Sequence, residues 1–252
     1  MLKKQIAIAF FGFTLLIFWH ILSKYTCFAL LLPLFIGMIL LKTTFEYGVA
    51  KKECFANCFF KKDAAIYKLL TRKAILFFIA LLEALFLLFL LALHVMLFNI
   101  VDFVVLLLDL VLLVWLYNFL LKSNSLKDEM KSPIIINIAS VINSVVVVVI
   151  ILIANLYQSP PSYLDISLME TIRSASHQVG SNCDFVDFIL FVANIVAAIK
   201  WWVMVKISVA MDNRYHLKTV MWIVYLLGSY FMVFAYSRYI LELLHITKRL
   251  YK

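Results

Sequence analysis

The sequence predicts an all-α, polytopic transmembrane helix bundle, and three observations carry that prediction. Hydrophobic residues fill 65% of the 252 positions and charged residues only 15%, against roughly 45–50% and about 25% in a soluble domain. Mean hydropathy is +1.03. Seven stretches reach the length of about 17–25 apolar residues that crosses ~30 Å of hydrocarbon. Their apolarity is continuous, as in 79–93, where Glu83 is the one polar residue. Barrel strands would alternate apolar and polar over ~10 residues.

The chain reads as one integral-membrane domain, 1–252, with spans at 6–22, 25–41, 74–98, 103–121, 134–156, 185–205 and 219–241. The first two are short, only Ser23 and Lys24 part them, and Pro33 interrupts the second. They form either two crossings or a re-entrant pair, so six spans stand as the alternative to seven. Lys3 and Lys4 resemble the basic start of a signal peptide, but no small-x-small cleavage site follows, so the first span stays attached.

Lys and Arg beside span ends orient such a chain. The 42–73 connection carries Lys42, Lys51, Lys52, Lys61, Lys62, Lys68, Arg72 and Lys73 against three acids. Lys122, Lys127 and Lys131 follow span four, and Lys206, Arg214 and Lys218 follow span six. Placing these inside puts the N-terminus in the cytoplasm and the 157–184 connection outside. Seven spans then put His245, Lys248, Arg249 and Lys252 outside as well, against the same bias. The +9 net charge fits anionic headgroups at the inner face and requires no nucleic acid. Usage of Lys, Ile, Phe and Asn points to an AT-rich genome and a bacterial inner membrane.

Within the basic connection, Phe55, Phe59, Ile66 and Leu70 recur among lysines at near-helical spacing. This predicts an amphipathic inner segment whose Lys51, Lys52, Lys61 and Lys62 meet lipid or a partner such as a cytoplasmic ATPase subunit. On the outer side Ser159-Pro160-Pro161-Ser162 ends a helix. Ser167 and Glu170 then match a capping box that starts a short helix running to about Gln178. Tryptophans 19, 115, 201, 202 and 222 fall mostly near span ends, as in an interfacial belt.

Ionisable groups at membrane depth are candidates for function. Glu83 lies near the middle of span three and Asp109 within span four; Asn143 and Asn194 fall near mid-depth on spans five and six. Asn137, Ser140, Asn143 and Ser144 share one sector of about 120° on a helical wheel. These groups either bond across helices and hold the bundle together or line a path for a proton, cation or polar solute. Ala193 with Ala197, and Asn194 with Ala198, form small-xxx-small pairs suited to close helix packing.

Four of five histidines, His20, His94, His177 and His245, are predicted on the outer side, as a possible metal or haem site. Their spacing matches no ligand motif, and no cofactor is favoured. Cys27 and Cys183 also fall outside, where a disulfide can form; the competing reading makes Cys183 a nucleophile with His177 as base. Cys54 and Cys58, in a reducing interior, stay thiols. No phosphate-binding or dinucleotide glycine motif and no nucleophile elbow is present, and the chain has only five glycines.

Three functions remain. The first is a permease-like protein, or the membrane subunit of a transport or secretion complex, without catalysis of its own. The others are a membrane enzyme or redox protein with a His/Cys site at the outer face, and a structural scaffold.

Overall fold

The structure is a computed structural model that describes residues 2–61, 63–97, 99–122, 128–165, 167–177, 183–205 and 215–250. Its described secondary structure is entirely helical: α1 (Leu2–Ser23), a 3-10 turn (Cys27–Leu30), α2 (Leu31–Phe59), α3 (Ala65–Leu70), α4 (Lys73–Met96), α5 (Ile100–Lys122), α6 (Asp128–Leu156), α7 (Leu168–Ser176), α8 (Asp184–Val205) and α9 (Tyr215–Leu250). Among the described residues, seven helices are long and apolar enough to cross a membrane. The chain is an integral membrane protein.

The long helices bury one stripe and turn an apolar stripe outward, except that α9 is buried on all sides from Ala235 to His245. α4 buries Leu76, Ala80, Ala84, Leu87 and Leu91, spaced three or four apart, and exposes Phe78, Leu82, Leu85 and Phe89. Two apolar faces suit a helix with protein on one side and lipid on the other.

The packing fixes direction. The near end of the bundle is defined by the start of α1, the far end by the turn after Ser23. α2 and α4 run antiparallel: Gly37 faces Leu88, and the rings of Phe45 and Phe77 are 5.8 Å apart. α6 and α9 are also antiparallel, with Asn143 bonded to Ser237 at mid-length and Asn155 lying beside Tyr225 at the far end. α9 packs against α1 so closely that a Cβ at Gly12 would lie 2.7 Å from Leu243. α9 therefore descends, and its C-terminal end lies at the near end beside the start of α1.

α8 has the length of a span but does not run lengthwise. Its beginning is tied by Cys183 to Cys27 at the far end. Its last turns stay there too: Val196, Ile199 and Lys200 line a cavity with His94, Leu97 and Asp102, while Trp202 and Val203 pack with Tyr225, Leu152, Leu164 and Leu168. A descending helix would have carried Lys200 about 25 Å away from Cys183 toward the near end. α8 thus crosses the top of a bundle whose lengthwise helices, among those described, are α1, α2, α4, α5, α6 and α9. With α7 and the first ten residues of α9, it forms a far-end cap.

Several expectations change. Pro33 does not interrupt a helix, because it falls in the first turn of α2, where its missing N–H is not needed. The 42–73 connection is largely a continuation of α2, which at 29 residues is about 43 Å long, followed by the six-residue α3. Lys51, Lys52 and Lys61 lie on this extension and the chain just after it; Lys62 lies outside the described residues. Trp19 and Trp202 are buried rather than interfacial. α7 starts where the capping box places it, with Glu170 N–H donating to Ser167 Oγ at 3.2 Å, but the Glu170 carboxylate accepts from the Ser167 hydroxyl at 2.8 Å. α7 ends at Ser176.

Candidate functional site: a polar layer at mid-depth

The polar sector of α6 faces inward. Ser140, Asn143 and Ser144 are buried, while Val141, Ile142, Val145 and Val146 are exposed on the other side. Asn143 Nδ2 donates to Asp109 Oδ2 of α5 at 2.9 Å and to Ser237 Oγ of α9 at 3.0 Å. All three side chains are buried. One amide thus joins three helices, and burial makes each of these bonds costly to lose.

Next along α9, Arg238 and Glu242 form an ion pair one helical turn apart, 3% and 0% exposed. Arg238 also donates to Asn137 Oδ1 of α6, and its guanidinium sits 5.9 Å from the ring centroid of Tyr47 on α2. Asn137 Nδ2 reaches the Tyr47 hydroxyl at 3.4 Å, and Thr43 of α2, whose hydroxyl donates to the Ile39 carbonyl at 3.0 Å, lies beside Glu242. This arrangement satisfies the guanidinium from three sides, as a buried cation demands. The layer is not fully satisfied. Asp109 Oδ1, Asn143 Oδ1, Glu242 Oε2, Ser140 Oγ and Thr44 Oγ1 are buried with no hydrogen-bond partner among the described residues.

Both clusters lie at one depth. Asp109 is nine residues below Ile100 at the top of α5, or about 14 Å. Thr43 is twelve residues below Leu31 at the top of α2, or about 18 Å. Half of a ~30 Å hydrocarbon core falls between these values. Glu83, eleven residues below His94 on α4, shares the level and acts electrostatically on Glu242. Yet Glu83 is exposed on the outer surface of the bundle, between exposed Leu82, Leu85 and Phe86.

Of the residues singled out from sequence, Asp109 and Asn143 meet in this layer. Glu83 adjoins it from outside, and Asn194, half-buried on α8, lies in the cap. The four histidines are not brought together. His20 lies within 2.8 Å of the Val95 carbonyl, His94 lines the far-end cavity, His177 caps α7, and His245 is on α9 toward the opposite end. Among the described residues no group of three His, Cys, Asp or Glu is placed to hold a metal. Cys27 and Cys183 form a disulfide with Cα atoms 5.3 Å apart, so Cys183 offers no thiolate to His177 here. Cys54 and Cys58 are free and exposed.

Sequence reasoning missed Arg238, Glu242, Ser237, Thr43 and Tyr47. The available signal was the four-residue spacing of Arg238 and Glu242 inside an apolar run; a hydropathy window ends a span at such a pair and so moves it to the membrane edge. No protein-family model, curated protein or solved structure matches the chain.

Proposed function

We propose that this is a permease-like membrane protein, without catalytic activity of its own, whose mid-depth layer carries a proton or small cation across the bundle. The observation behind this reading is the buried set Asp109, Asn143, Ser237, Arg238 and Glu242, with carboxylate oxygens on Asp109 and Glu242 left unpartnered. Holding six helices together does not need charge. A buried ion pair is often no more stabilising than apolar residues of the same volume, whereas ionisable groups facing a bundle interior characterise ion and proton pathways.

The basic near end, with Lys51, Lys52 and Lys61, would face the cytoplasm and anionic headgroups of a bacterial inner membrane. A descending α9 supports this, since its basic tail then joins the positive side.

The test is proton flux into liposomes that hold purified protein and a pH-sensitive dye, driven by an imposed potential. The expected result is flux well above protein-free vesicles, with Asp109→Asn and Glu242→Gln at least tenfold slower at equal reconstitution. Wild-type flux equal to that of empty vesicles would remove the reading.

Glu83 supports a second reading, that the chain is a membrane subunit of a larger assembly, with an ATPase among its partners. A carboxylate exposed at mid-depth costs about 2.5–3.5 kcal/mol on insertion scales, and a neighbouring helix carrying a basic group would offset it. Mild extraction from the native membrane should then yield a stoichiometric complex that Glu83→Gln dissociates. A complex unaffected by that substitution would show that Glu83 is not its contact.

A further inference from the structure

At the far end, reaching down to Val148 and Val233 about one turn above the mid-depth layer, α4, α5, α6, α8 and α9 line a cavity of about 200 Å³. Its walls are mostly apolar, including Val148, Ile151, Val196 and Val224, but Asp102 and Lys200 also line it. Asp102 is 4% exposed, and its Oδ1 has no hydrogen-bond partner among the described residues. The Asn99 side chain holds the Asp102 backbone N–H at 2.7 Å, which fixes the first turn of α5 in place. The Lys200 charge acts on both Asp102 and His94, yet among the described residues Lys200 and Asp102 form no ion pair.

The cavity therefore presents one anion and one cation, separated, against an apolar wall. A purely anionic ligand would meet Asp102, and a purely cationic one Lys200. A purely apolar ligand would leave the Asp102 oxygen buried and unbonded, which is costly. The volume is below the roughly 300–1,000 Å³ of drug-sized sites, so the occupant is small or enters only in part.

We infer that the far-end cavity binds a zwitterion with an apolar portion, its ammonium against Asp102 and its phosphate or carboxylate against Lys200. An ethanolamine phospholipid, with its headgroup and the start of one chain, and a free apolar amino acid share this chemistry. The site is independent of whether the mid-depth layer conducts.

The experiment is a thermal-unfolding titration of the full chain in detergent with short-chain phosphatidylethanolamine, short-chain phosphatidylglycerol and leucine. At a hundredfold excess over Kd, the matching zwitterion should raise the midpoint by about 5 °C, and phosphatidylglycerol should not. The rise should vanish in Lys200→Gln, a half-exposed position. It should also vanish in Gly228→Leu, which fills the cavity from a site where a Cβ meets nothing within 4 Å. A response to the ethanolamine lipid identifies the membrane as the source, and a response to leucine a free solute. No response to either, an equal response to phosphatidylglycerol, or a response that persists in either variant would overturn the inference.

Discussion

α1 and α8 have the same mean hydropathy over their most apolar windows, 2.1, and nearly the same length, yet they sit differently. α1 runs the length of the bundle against α9, Phe13 packing edge-on to Tyr236 and the Tyr239 hydroxyl reaching the Gly12 carbonyl at 3.5 Å. α8 lies across the far end, held by Cys183 at its start and by Trp202 and Val203 at its finish. Apolarity makes a helix compatible with hydrocarbon, but its direction comes from what its two ends are fastened to. The bundle is fastened by interior polar bonds between neighbouring lengthwise helices, the cap by a covalent link and a small apolar cluster.

The sharpest division of these two regions is topological and all-or-none. With α8 transverse, tags at the N- and C-termini should be digested from the same side of sealed vesicles; tags on opposite sides would mean that α8 crosses.

Breaking the bundle's ion pair comes next. Glu242→Ala leaves Arg238 buried without its carboxylate and should destabilise the protein by about 3–5 kcal/mol, read as loss of monodisperse protein on heating. The double change Arg238→Met with Glu242→Leu should recover most of that stability. If it also restores flux, the pair only holds helices together.

Cys27→Ser should affect the cap instead. Removing a disulfide costs typically 2–4 kcal/mol, and the effect should appear as faster proteolysis in the 157–183 segment while the bundle's midpoint moves little. An equal loss of both regions would make cap and bundle one cooperative unit.

The smallest effect belongs to Ser167→Ala, which removes the N-cap of α7 at about 1 kcal/mol. Amide exchange should quicken in Leu168–Ser176 and remain unchanged in α5 and α6.

The inward sector of α6 was legible because a helical wheel needs only local spacing, and Asn137, Ser140, Asn143 and Ser144 recur on one face. Asp109 was legible because a carboxyl inside an apolar run is conspicuous. Glu83 was equally conspicuous, and the same rule misplaced it: sequence gives its depth, but only the neighbours of α4 decide which face is covered. Arg238 and Glu242 were hidden because each neutralises the other across one turn, a compensation that residue-by-residue hydropathy does not count.

By itself the sequence determined the solvent, the helical class, the approximate length of the long helices and the depth of most polar groups. These follow from composition and from the fixed rise of a helix. Only the tertiary structure decided that α8 lies crosswise, that both ends of the chain share a side, and that Arg238 closes on Asn137, Glu242 and Tyr47. Those facts depend on contacts between residues as far as 227 positions apart and more, which no local pattern encodes.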